Sequence, residues 1–169
     1  NRLVDFVIVN PGIYVDLSVK YGVNRILTLV NELSEEVSIT KFGSVIFTAK
    51  ANQEISTLTD LKNRRLSAVH PTSMGGWIMA LREMKSAGIE TWDLASLSYL
   101  NTHDAVVNAV LSRETDVGVV RTDTLERMAR EGTLELDQIR IINPEKYDLF
   151  PYDISTPLYP EWPFAQLPH

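Results

Sequence analysis

Cysteine is absent from the 169 residues, which excludes a disulfide framework, a Cys-based zinc or iron–sulfur site and a thiol nucleophile, and leaves the redox compartment open. Only three histidines occur, His70, His103 and His169. They are far apart and lack the spacing of a ligating pair, so no metal site is expected. No G-x-S-x-G, P-loop or G-x-G-x-x-G run is present, so neither a cofactor nor catalysis has a positive signal. Apolar runs stay short of the roughly 20 residues that span a bilayer. The opening Asn1-Arg-Leu-Val-Asp-Phe6 is not a signal peptide, and the chain starts directly on a strand, as a trimmed one would. A formal charge of −6 is spread without a Lys/Arg block. That argues against nucleic acid or an anionic membrane surface as partner, and any anion site must be local.

What the chain does have is an apolar fraction of 44%, sufficient for a core, organised as alternating strands and helices. Leu3 to Val9 reads as a strand covered on both faces, ending at Asn10-Pro11-Gly12, with a turn or helix entry at Ile13-Tyr14-Val15. Val23 to Glu32 fits helix or strand, and Gly43 to Lys50 is a clearer strand. Thr57 to Lys62 is a short capped helix, because Asp60 stands three residues after Thr57. Strand 65–70, helix 77–87 ending at Gly88, strand 96–100, helix 104–112, strand 116–120, helix 123–130 ending at Gly132, and strand 138–142 follow. Such βα alternation implies a mainly parallel sheet with helices on both faces. After Pro144 five further prolines stand among aromatic residues, which forbids a long helix and favours an extended, packed segment.

Two polar clusters follow strands in this pattern. Thr102, His103 and Asp104 open a helix, where free N–H groups can hold an anion. Arg121, Thr122 and Asp123 end the next strand, and in an open parallel sheet ligands bind beyond the carboxyl ends of the strands. The turn His70-Pro-Thr-Ser-Met-Gly-Gly-Trp77 adds the hydroxyls of Thr72 and Ser73. Each has an ordinary alternative: Ser73 as a helix cap, His103 facing water, Arg121 paired with Asp123 or Asp116, Tyr14 as a core tyrosine. Arg121 at a crevice edge leans toward a bidentate anion clamp.

The segments T-L-T-D-L-K-N-R-R-L-S-A-V-H-P-T-S-M-G-G and N-T-H-D-A-V-V-N-A-V-L-S-R-E-T-D-V-G-V-V-R-T-D resemble the phosphate/phosphonate-binding proteins of ABC transporters, which are type II periplasmic binding proteins. N-P-G-I-Y-V is similar to that family's first-lobe ligand segment. By position the resemblance implies ligand contacts at Tyr14, Ser73 and His103, with Asp123 a further match. The chain departs from the family pattern at Ser73-Met74-Gly75, where a Ser-Thr-Ser run is usual, and at Arg121, where a small residue is usual. V-R-T-D-T-L-E-R-M with S-T-P-L-Y-P-E-W-P-F-A resembles the extracytoplasmic sensor regions of membrane histidine kinases, including tetrathionate sensors.

These resemblances imply a two-lobe α/β fold of the type II periplasmic-binding-protein kind with its first lobe truncated. Residues 1–43 and 144–169 would form partial lobe 1, and 44–143 lobe 2. The ligand expected is a small oxyanion between the lobes, such as tetrathionate or thiosulfate, held by Tyr14, Thr72, Ser73, Thr102, His103, Arg121 and Asp123. The parent would be a membrane-anchored kinase with this domain in the periplasm. A solute-binding protein for phosphonate, phosphite or phosphate is the alternative. The first lobe is either incomplete or completed by a second copy through swapping or a homodimer.

Overall fold

The computed structural model describes residues 4–33 and 37–168. Leu3, where the first strand was expected to begin, and His169 lie outside the described residues. Along the chain run β1 (Phe6–Ile8), α1 (Pro11–Tyr21), β2 (Asn24–Thr28), β3 (Asn31–Glu32), β4 (Ser38–Ile39), β5 (Lys41–Phe42) and β6 (Ser44–Ala49). Then come β7 (Arg65–Ala68), α2 (Met79–Ser86), β8 (Ser96–Tyr99), α3 (His103–Leu111), β9 (Val117–Arg121), α4 (Thr124–Arg130), β10 (Ile139–Ile142), β11 (Tyr159–Pro160) and β12 (Pro163–Gln166). The chain divides into unit 1, residues 1–42 with 158–169, and unit 2, residues 43–157.

Unit 2 is built on a five-stranded sheet in the order β10-β6-β9-β7-β8. β7 pairs in parallel with both β8 and β9, while β6 runs antiparallel to its neighbours β9 and β10. The sheet is therefore mixed, with one reversed strand among four that share a direction. Apolar residues occupy successive positions of β6 because both faces are covered. Ile46 joins Leu66, Val117, Trp77 and Met84 on the α2 side, while Val45 and Phe47 join Val106, Val110 and Leu125 on the side of α3 and α4. Gly118 has a steric reason: a Cβ there would meet the Phe47 ring at 2.6 Å.

The short helix expected at 57–62 is a 3₁₀ turn, Leu58–Leu61, and Asp60 accepts the Thr57 N–H at 2.8 Å. The helix expected from Trp77 is preceded by a π-helical turn, Met74–Ile78, a geometry common at functional sites. Residues 144–157, expected to belong with the first lobe, fall in unit 2. The reason is hydrogen bonding along β6: the Ile46 N–H donates to Ser155 Oγ at 2.9 Å, the Ser44 N–H to Thr156 Oγ1 at 3.1 Å, and the Ser155 hydroxyl to the Ile142 carbonyl at 2.7 Å.

Unit 1 carries a three-stranded antiparallel sheet, β1-β12-β2. α1 is set by its ends: Asn10 Oδ1 accepts the Gly12 N–H at 2.8 Å, Pro11 supplies the pre-set φ of a first turn, and Gly22 closes the helix at φ 67°. The 23–32 segment, which fitted helix or strand, is β2 followed by β3. The first strand is not covered on both faces as its apolar run suggested. Phe6 and Ile8 are 49% and 66% exposed, and Phe6 stacks on Phe164 of β12 at 5.3 Å.

Candidate functional site

Three loops leave the carboxyl ends of β7, β8 and β9, and each holds residues that the sequence pattern singled out. The loop after β7 folds tightly. Its Ser73 N–H donates to the His70 carbonyl at 2.9 Å, and Ser73 Oγ accepts the Gly76 N–H at 3.1 Å. Accepting leaves the Ser73 hydroxyl hydrogen available to a ligand. Thr72 is occupied locally, its N–H on His70 Nδ1 at 3.2 Å and its hydroxyl 2.9 Å from the same nitrogen. From below, the Ser44 hydroxyl of β6 donates to the Gly75 carbonyl at 2.6 Å. Gly76 must be glycine, since a Cβ would meet Val69 Cγ2 at 2.5 Å and Ser73 Oγ at 2.8 Å.

The loop after β8 turns at Asn101, φ 67°, a conformation asparagine tolerates better than most residues. Thr102 then caps α3, its Oγ1 accepting the Ala105 N–H at 3.2 Å. His103, the first residue of α3, reaches the end of β9, where its Nδ1 accepts the Arg121 N–H at 3.2 Å. An acceptor at Nδ1 leaves the ring proton on Nε2, so neutral His103 is a donor from that side. Its pKa is lowered to about 4, first by burial, then by the positive charge of Arg121, with Asp104 opposing and Arg127 adding to the effect. His103 is thus neutral at physiological pH.

The loop after β9 contains the acidic and basic pair. Arg121 Nε lies 4.0 Å from Asp123 Oδ1, so the ordinary pairing considered for Arg121 is with Asp123. Asp116 instead takes Arg65, Nη2 to Oδ1 at 2.7 Å and Nε to Oδ2 at 3.1 Å. Asp123 has φ 73° and caps α4 without using its side chain. Burial pushes its carboxyl up, against the pull of Arg121, Arg127 and Arg130. Behind His103, Arg127 pairs with Asp104 and with Glu131 at 2.7 Å.

His103, Arg121 and Asp123 are therefore brought together, while Ser73 and Thr102 stand on neighbouring loops of the same sheet edge. Tyr14 belongs to unit 1, where its hydroxyl oxygen accepts the Arg25 N–H at 3.2 Å. Sequence reasoning missed three supports of this edge: Ser44, the π turn and Arg127. The Gly75-Gly76 pair was a visible signal for the π turn, whereas Ser44 and Arg127 act across sequence separations that no local pattern displays. Among the described residues, no group of three or more His, Asp or Glu side chains is able to hold a metal ion.

The sequence model of a family described as the phosphonate periplasmic substrate-binding protein of ABC transporters matches residues 1–169. This chain belongs to that family. Over 167 residues it is 28% identical to the tetrathionate sensor histidine kinase TtrS of Salmonella typhimurium, covering 98% of the chain and 28% of that protein. Among solved structures, a Xanthomonas citri protein bound to ATP matches with a TM-score of 0.74 at 16% identity, over 98% of this chain and 58% of that one. A Prochlorococcus marinus PhnD1 in complex with methylphosphonate matches with a TM-score of 0.62 at 18% identity, over 97% of this chain and 57% of that one. The chain thus spans under a third of its sensor-kinase relative and a little over half of these two structures. The fold is that of periplasmic binding proteins. No helix among the described residues is long and apolar enough to cross a membrane.

Proposed function

We propose that this chain is the extracytoplasmic ligand-binding part of a membrane sensor histidine kinase, and that it recognises a small sulfur oxyanion such as tetrathionate or thiosulfate. The observation that carries this reading is the His103–Arg121 arrangement, a neutral imidazole fixed through Nδ1 beside a guanidinium at the carboxyl end of β9. Such a pair offers one donor without charge and one with it. An oxyanion that stays ionised suits both, because neither partner requires the ligand to bring a proton. In the proposed site the Ser73 hydroxyl and the N–H groups at Thr102 complete the donor set, Asp123 orients Arg121, and Thr72 stiffens the Ser73 loop. The sensor role is supported by near-complete coverage of this chain within a small part of a histidine kinase.

A solute-binding role for a phosphonate is the second reading, favoured by the family description and the methylphosphonate-bound relative. A thermal-shift series with tetrathionate, thiosulfate, sulfate, phosphate and methylphosphonate separates the two. A ligand present at about 100 times its Kd raises stability by about 2.7 kcal/mol. The expected outcome is stabilisation by a sulfur oxyanion that disappears in Arg121→Ala and weakens in Ser73→Ala. Stabilisation by methylphosphonate alone supports transport instead, and no shift with any anion removes both readings.

A further inference from the structure

The opposite end of the unit 2 sheet holds a groove that uses none of the residues of the proposed oxyanion site. Two cavities of about 240 and 580 Å³ adjoin there, sharing Ala49, Ala51 and Arg113 as common walls. Their apolar lining comes from the end of β6 and, through Val110 and Leu111, from the end of α3. Ionised groups also line them. Arg65 and Asp116 neutralise each other in the two-pronged pair described above, and the pair holds Asp116 below its ordinary carboxylate range. That leaves Lys50 and Arg113, neither of whose side chains makes a hydrogen bond or ion pair to any described residue. Glu114, adjacent in sequence, lines neither cavity.

Arg113 is placed there by the backbone. It has φ 63°, a left-handed conformation uncommon for arginine. Its carbonyl is held by Arg65 Nη2 at 3.1 Å. The same floor is tied from inside, where the Thr48 hydroxyl donates to the Asp116 carbonyl at 2.7 Å and the Ser67 and Thr115 hydroxyls meet at 2.9 Å. The wall behind Arg113 is therefore fixed, and Lys50 and Arg113, without side-chain partners among the described residues, stand at a lining whose apolar part is Ala49, Ala51, Val110 and Leu111, on a chain whose net charge is −6.

We propose that this amino-end groove binds a small organic acid with an apolar body and two or three carboxylates. The two cations call for more than one anionic group, and the alanine and valine floor calls for carbon between them. The volume suits a ligand of several carbons better than an inorganic oxyanion. This site is separate from the proposed oxyanion edge, so the two are tested independently.

The test is an NMR titration of the whole chain with adipate and citrate as probes, read at the Ala49, Ala51 and Val110 resonances. Saturable shifts confined to these residues at millimolar concentration or below are expected. Affinity should fall by about tenfold or more, roughly 1.4 kcal/mol, in the double variant Lys50→Gln with Arg113→Asn. Asparagine keeps the left-handed backbone, so the variant loses charge without strain. Equal binding by that variant overturns the proposal. So do shifts at Ser73, Thr102 and Arg121 in place of the groove, an acidic peptide such as Glu-Leu-Glu binding where both acids are silent, or no saturation up to about 10 mM, which corresponds to under 3 kcal/mol of binding.

Discussion

Unit 2 and unit 1 both build strands from apolar residues, yet they handle that apolar surface differently. In unit 2 the sheet is covered by α2 on one face and by α3 and α4 on the other, and Phe47, Leu66 and Val119 are fully buried. In unit 1 the three-stranded sheet aligns Ile8, Phe164 and Leu27 across β1, β12 and β2, and Ile8 and Leu27 remain 66% and 61% exposed. β-branched and aromatic residues form strands in both. Burial depends on a second layer, because a sheet face gains hydrophobic stabilisation only when another element removes it from water.

The widest gap between the units should appear on truncation. Phe47→Ala removes a ring packed against Gly118 and Val110 and should cost about 3–5 kcal/mol. Leu27→Ala, at an exposed position, should stay within about 0.5 kcal/mol. Denaturant unfolding followed at both sites checks this, and comparable losses would erase the comparison.

A second test sharpens it inside unit 2. His103 titrates at about 4 when folded and at its ordinary 6.5 when unfolded. Between those values the unfolded chain binds the extra proton, so stability falls as pH drops from 6.5 toward 4 and is unaffected by this group above 6.5. The full difference is on the order of 3 kcal/mol. His103→Asn, whose Oδ1 can still accept the Arg121 N–H, should lack that part of the acid loss; unfolding curves at pH 7 and pH 4 measure it.

The smallest effect concerns the Arg65–Asp116 pair. It is partly exposed, with side chains 45% and 24% accessible, so Arg65→Ala should cost little at neutral pH, the smallest loss of the three. Because Asp116 is held below its ordinary range, this contribution is present above the unfolded carboxylate pKa and lost as pH falls through the folded one. The variant and the parent chain should therefore converge in acid, and a pH series of melting temperatures would show whether they do.

Much of unit 2 was legible along the chain. Gly88 and Gly132 mark helix ends at φ 74° and 71°, and Thr102, expected among the residues that open a helix, caps α3. These are local events, decided within four or five residues by capping hydrogen bonds and left-handed backbone. The candidate site was only partly legible. Thr102 and Arg121 could be placed at strand ends from periodicity. The hydrogen bond between His103 and Arg121, the lowered pKa that Arg121 helps give His103 and the tie from Ser44 to Gly75 could not, because each joins residues at least 18 positions apart.

The amino-acid sequence determined by itself that the chain alternates strand and helix, where most helices stop, and that its anion-capable residues follow strands, since all of this rests on short-range geometry and periodicity. Tertiary structure alone decided that β6 runs against its neighbours, that residues 144–157 pack along it, that Arg121 pairs with Asp123 while Arg65 takes Asp116, and which apolar faces are covered. Those outcomes depend on which distant segments share a sheet, where the strand-to-strand hydrogen bonds and the burial of charge are settled together.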